Sequence, residues 1–404
     1  MKEIQGGVCA PLGFKAAGIH CGIRKNKSKK DLALIVSDVM CHAASTYTLN
    51  KVKGAPIVVT KQHLQNGEAK AIICNSGNAN TCNPDGEDIA NAVCHLCAEA
   101  LKIDVNDIIV ASTGVIGQPL SIQPFEKHMQ ELVNSLDYQK SSDACEGIMT
   151  TDTVKKEYAV EFELDNKICH IGAIAKGSGM IHPHMATMLA FVTTDVAISK
   201  DMLNEVVHEV VDDTFNMVSV DGDTSTNDML SVMANGLAQN NEIIQKDQNY
   251  QIFKQALMFI CTSLSKAIAK DGEGATKLLT CQVINSQSIN DAKVIAKSVI
   301  TSSLFKAAMF GRDANWGRIL CAIGYSEANY DVNKIEVSLA STQGQICVCQ
   351  NGRGYPFSEE KALEILSEDE IEIFINLYDG DFQATAWGCD LTYDYVKING
   401  DYRT

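Results

Sequence analysis

Apolar positions along this chain recur with two different periods, in short runs with a two-residue alternation and in longer stretches spaced three to four apart. That is the signature of mixed α and β structure. DLALIVSD (31–38), AKAIICNS (69–76) and NDIIVAST (106–113) read as strands. KKEYAVEFEL and KICHIGAIAKG read as two more, joined at Asp165-Asn166, whose small polar side chains suit a tight hairpin turn. Helical spacing covers 87–102, 122–136, 199–214 and 247–270. The second half repeats the mixture, with helices over 288–303 and 359–366 and strands near 334–340, 345–349 and 370–378. DGEGATK (271–277) closes the long helix and is the best internal boundary, so everything after about 282 is expected to form a smaller α/β domain.

Composition narrows the class. The 404 residues are 46% hydrophobic with only 7 prolines, which suits a folded globular chain. Lys and Arg total 34 against 50 Asp and Glu, a net charge of -16, which argues against a nucleic-acid partner. No run of about 18 uninterrupted apolar residues occurs, and MKEIQGGVCAPLG lacks a signal-peptide core; both point to a cytoplasmic protein with no membrane span. The 15 cysteines are odd in number and scattered. Cys94 and Cys97 share a helical face with no second pair to complete a zinc set, so packed, reduced thiols are expected and no metal site.

Familiar motifs are missing: there is no GxxxxGK[ST], HExxH or GxSxG. The run from Asp221 to Asp228 resembles a calcium loop, but Thr226 stands at its glycine position and Val232 where a bidentate Glu is needed, leaving a side-chain-stabilised turn. His182-Pro183-His184 offers two imidazoles without an acidic or thiol partner nearby.

The densest segment is AKGSGMIHPHMATMLAFVTTD, from Ala175 to Asp195. A glycine-rich loop enters a β-rich run at Met188, with small Ala186 before Thr187. This suits an amino-terminal nucleophile made by self-cleavage. A threonine hydroxyl needs an adjacent base, and cutting the Ala186–Thr187 bond frees an α-amine of pKa about 8 on the same residue. The plainer reading is a threonine opening a strand. Acyl chemistry also needs donors for an oxyanion, and the strand-to-turn segment Val110–Gly117 can present the Thr113 hydroxyl together with the Gly114 N–H.

At these residues the chain resembles the ornithine acetyltransferases, the glutamate N-acetyltransferases of cyclic arginine biosynthesis. Nine ordered blocks carry the likeness: GVCAPLGFKAAGIHCGIR, CNSGNANTC, ASTGVIGQPL, MTTDT, KGSGMIHPHMATMLAFVTTD, FNMVSVDGDTSTND, AKDGEGATK, FGRDANWGRI and INGDYRT. The resemblance implies a self-processing two-chain α/β sandwich, an α chain of 1–186 and a β chain of 187–404. Within the latter, 187–281 would complete the catalytic core and 282–404 form the smaller α/β domain. It implies an acetyl group moved from N2-acetyl-L-ornithine to L-glutamate through acetyl-Thr187. Thr113 and Gly114 would form the oxyanion hole, and Thr150, Lys176, Thr187, Glu273, Asn399 and Thr404 would bind substrate, with Thr151 as the alternative within the threonine doublet. It further implies an (αβ)₂ heterotetramer, no resident cofactor, and acetyl-CoA as a co-substrate in some members. The charges fit: Lys176 can pair with a carboxylate and Glu273 with an ammonium. Without the family likeness they would read as a surface lysine and an acid following a helix.

Two departures stand out. His184 replaces the usual asparagine before MATML, and Val154-Lys155-Lys156 replaces Phe-Pro-Lys after MTTDT. The competing readings are a self-cleaving aminopeptidase or amidase, in which water takes the acyl group, and a binding protein that never matures.

Overall fold

A computed structural model of the chain describes residues 1–182 and 188–401. Strands β1 (Lys2–Ile4), β2 (Phe14–Ile19), β3 (Leu32–Tyr47), β4 (Glu68–Asn78), β5 (Ile108–Val115), β6 (Lys156–Leu164), β7 (Lys167–Lys176) and β8 (Leu189–Thr194) come first. They are followed by β9 (Val218–Ser219), β10 (Met229–Ala234), β11 (Leu278–Ser286), β12 (Glu336–Ser341), β13 (Gly344–Gln350), β14 (Arg353–Gly354), β15 (Glu370–Asn376) and β16 (Phe382–Cys389). Among the described residues one sheet runs β1-β6-β7-β8-β10-β3-β4-β5, with β2 also on β3; the other runs β14-β13-β12-β15-β11-β16-β9.

The first sheet doubles over at β3. That strand pairs with β2 through Leu32–Ser37, with β4 through Leu32–Val36 and again at Cys41 and His42 after a register slip, and with β10 through His42–Tyr47. The two halves face each other across one shared core, to which β4 and β5 contribute Ile72, Cys74, Ile109 and Ala111 while β8 and β10 contribute Leu189, Phe191, Met229 and Met233. The alternate residues of the same strands point outward. Ile73, Ile108 and Val110 pack under the helices Gly86–Leu101 and Gln123–Asn134, and Ala190, Val192, Leu230 and Val232 under the helices Lys200–Asp213 and Gln248–Lys270. The result is an α/β/β/α sandwich.

Local chemistry explains the elements. Asp165 (φ 51°) and Asn166 (φ 59°) occupy the left-handed turn of the β6–β7 hairpin, as their small polar side chains predict. Ser199 accepts from the Met202 N–H to start a helix whose Leu203, Val206, Val207, Val210 and Val211 form its buried stripe. The helix Gln248–Lys270, capped by Asp247, has the length and apolar content of a membrane span. Here it lies between β6 and β7 on one side and β11 and β16 on the other, with Phe253, Leu257, Ile260, Leu264 and Ile268 buried.

The second sheet corrects the expected boundary. Residue 282 falls inside β11, which pairs with β15 and β16 from Leu278 onward. The same sheet takes its edge strand β9 from Val218–Ser219, so it is built on residues from both sides of the 271–277 loop. Cys94 and Cys97 are buried, reduced thiols on the inner face of their helix.

Candidate active site

Strand ends from both halves of the sandwich meet at one rim. β5 carries Thr113-Gly114 as its last residues before Val115, β7 ends in Lys176, and β8 and β10 begin there with Leu189 paired to both Lys176 and Met229. The loop after the helix Gln248–Lys270 brings Glu273 to the same place through a bond from its N–H to the Ser178 carbonyl, 2.9 Å. A cavity of about 110 Å³ results, lined by Thr113, Gly114, Thr150, Thr151, Lys176, Glu273 and Asn399, together with Ser225, Thr226 and Asn227. Six of the residues singled out from sequence therefore share one cavity. Thr187 and Ala186, with Pro183, His184 and Thr404, lie outside the described residues.

Two glycines have a stated geometric reason. Gly114 sits at φ 129°, and a Cβ there would come within 2.4 Å of the Gly77 carbonyl carbon on the neighbouring strand. At Gly179 a Cβ would meet the Glu273 carboxylate at 2.4 Å, so the KGSG loop leaves room for that acid.

Lys176 is not a surface lysine. It is buried, and its Nζ donates to the Thr113 hydroxyl (3.1 Å) and to the Thr150 hydroxyl (3.2 Å). Burial lowers its pKa, partly offset by the carboxylates of Asp152 and Asp228. An ammonium can only donate, so each threonine accepts from Lys176 and keeps its own proton for another acceptor. The bond also singles out Thr150 within the doublet, although Thr151 lines the cavity too. In the same cavity the Glu273 carboxylate accepts from Asn399 Nδ2 at 2.9 Å.

Sequence reasoning missed the frame behind these residues. Asp152 accepts from the N–H groups of Thr150 (3.0 Å) and Gly177 (2.7 Å), so one carboxylate fixes the backbone beside two site residues. Lys156 bridges Asp152 (2.7 Å) and Asp271 (2.5 Å), all three buried. Burial alone would raise the Asp152 pKa, but the ammonium groups of Lys156 and Lys176 bring it down to about 2. MTTDT carries the signal, since its aspartate lies four residues before Lys156, the residue that the departure from Phe-Pro-Lys leaves in place. The Asp221–Asp228 run is a turn, as expected, but a working one: Asp221 accepts from the N–H groups of Met180 (2.6 Å) and Ile181 (2.9 Å).

The site thus offers a buried ammonium, a carboxylate and a hydroxyl–glycine turn around one small cavity. The chain matches the model of the ArgJ family over residues 15–404. It is 51% identical over 392 residues to the arginine biosynthesis bifunctional protein ArgJ 1 of Clostridium acetobutylicum, covering 97% of this chain and 96% of that one. It is 46% identical over 404 residues to the ArgJ protein of Bacillus subtilis, covering 100% and 98%. The crystal structure of the ArgJ protein of Bacillus halodurans superposes with a TM-score of 0.51 at 44% identity, covering 54% of this chain and all of that chain. The chain belongs to the ArgJ family.

Proposed function

We propose that this acetyltransferase of arginine biosynthesis moves the acetyl group of N2-acetyl-L-ornithine to L-glutamate through acetyl-Thr187. The observation that carries the reading is that a buried ammonium, Lys176, and a carboxylate, Glu273, line one cavity together with Thr113 and Gly114. Ornithine's α-carboxylate meets Lys176 and its side-chain ammonium meets Glu273, which brings the acetylated α-nitrogen between them. Thr187 Oγ attacks the acetyl carbon, and its proton passes by way of the α-amine of Thr187 to the departing ornithine nitrogen. The Thr113 hydroxyl and Gly114 N–H stabilise the oxyanion. The amine of glutamate then attacks the ester, restoring the threonine.

The same reading makes the mature protein two chains, 1–186 and 187–404, paired as (αβ)₂ in the cytoplasm. The Bacillus halodurans chain, matched along its whole length, spans 54% of this one, the share that residues 187–404 make up, which supports the division. Acetyl-CoA is proposed as a second donor, in keeping with relatives named as bifunctional. The test is ornithine release from N-acetylornithine by purified protein. Glutamate should accelerate it and emerge acetylated. Release at the same rate with water as sole acceptor would favour the amidase reading.

A further inference from the structure

Asn227 lines the cavity, yet its side chain has no polar capacity left for a ligand. Its Oδ1 accepts from the hydroxyls of Thr81 (2.5 Å) and Thr226 (2.6 Å), and its Nδ2 donates to the carbonyls of Ala79 (2.6 Å) and Ser112 (3.0 Å). An asparagine amide offers two donor hydrogens and two acceptor sites, so all four are spent inside the protein. The side chain is buried and packed against Gly54, where an added Cβ would lie 2.5 Å from Nδ2.

The positions of its partners give this bond set its meaning. The Ser112 carbonyl belongs to the peptide that leads into Thr113. Ala79 follows the bulge at Gly77-Asn78, the backbone against which Gly114 is packed. On the other side, Asn227 lies two residues before Met229, whose N–H donates to the Met188 carbonyl at 2.9 Å as β8 and β10 begin. One amide therefore ties the Thr113–Gly114 turn, in one half of the sandwich, to the start of β10, the partner of β8, in the other. We propose that Asn227 is a positioning residue for acyl transfer, setting the distance between the oxyanion donors and the start of the paired strands β8 and β10 through the carbonyls of Ser112 and Ala79. The inference rests on the function proposed above. Oxyanion stabilisation depends on donors held within a fraction of an ångström, so loosening this link should weaken the transition state more than substrate binding.

The discriminating variant is Asn227→Asp in the full-length chain, which keeps the shape but turns the Nδ2 donor into an oxygen facing two carbonyls. In mature protein, counted by its separated chains, kcat should drop about 10²-fold while KM for N-acetylornithine and glutamate changes about 2-fold or less. The ratio of variant to wild-type kcat should recover as pH falls, because a protonated carboxyl can again donate to one carbonyl. Thr81→Val, which removes one donor to Oδ1 and leaves both carbonyl bonds, gives a milder form of the same pattern in a protein with its packing intact. Wild-type kcat in both variants would overturn the inference. So would a raised KM at unchanged kcat, which would make Asn227 a ligand contact, or a loss of stability with normal turnover per mature site. Thr113→Ala separates the two levels. If it too leaves turnover unchanged, the proposed site itself is wrong; if it impairs turnover while Asn227→Asp does not, only this inference falls.

Discussion

The Lys176 ammonium donates to the Thr113 hydroxyl over 3.1 Å, and this one contact links the cation of the cavity to its candidate oxyanion donor. Because Lys176 fills an acceptor site on that oxygen, the hydroxyl proton is left free to donate to another acceptor. Thr113→Ala removes the donor without exposing a core, since the residue sits at a strand end. We expect kcat to fall about 10²-fold or more, with folding unchanged. Steady-state kinetics with a thermal melt checks this, and near-normal turnover would place the donor elsewhere.

The pH profile should carry the mark of Lys176. Burial holds its pKa below the ordinary lysine value, so its charge is present at low pH and lost as pH rises through that lowered pKa. Turnover should therefore decline on the alkaline side at a pH below about 10.4, the unperturbed lysine value. Lys176→Arg, with a guanidinium that stays charged, should abolish that alkaline decline even if its overall rate is low. An alkaline limb that survives in the arginine variant would assign it to another group.

Charge at Glu273 should set selectivity. Its carboxylate is the acidic pole of the cavity and is held by Asn399. Glu273→Gln keeps that shape and removes the charge, so kcat/KM for N-acetylornithine should fall strongly, by about 10-fold or more. Activity on an uncharged N-acetyl-norleucine should fall much less. Parallel losses on both substrates would show that the carboxylate does not read the ornithine ammonium.

Stability should hinge on Lys156. Lys156→Met leaves Asp152 and Asp271 buried without their shared cation, at a cost of about 3–5 kcal/mol near neutral pH. Asp152 titrates at about 2 in the folded protein against about 3.9 unfolded. Its lowered pKa thus stabilises the wild type fully above about pH 4 and less as pH falls toward 2. The deficit of the variant should accordingly shrink as the solution is acidified. Urea denaturation at pH 7 and at about pH 3, inside the window where this contribution is being lost, tests both points, and an equal deficit at the two values would contradict the ion-pair account.

The strands and long helices were legible because their patterns are local. The β6–β7 hairpin is announced by Asp165-Asn166, and the helix Lys200–Asp213 by its serine cap and valine stripe. The doubling of β3 was not, since 39–47 (VMCHAASTY) mixes small and polar residues and gains its strand character by pairing with β10, far along the chain. Short helices such as Ser141–Ile148 escaped for the same reason: eight residues hold their shape through tertiary packing, not through propensity. At the site, the family blocks singled out Thr113, Lys176 and Glu273 individually. That Lys176 is buried against two threonines, and that Asn227 spans the two halves, depend on contacts between residues 26 to 148 apart.

The central claim is that one hydroxyl, that of Thr187, serves both maturation and acetyl transfer. N-terminal sequencing of the purified wild-type protein tests it most directly, run beside Thr187→Ala. The wild type should give two chains, one beginning Thr-Met-Leu-Ala-Phe, and the variant should remain a single chain without acetyl-transfer activity. A second chain beginning at any other residue, or an uncut Thr187→Ala protein that still acetylates glutamate, would contradict the account.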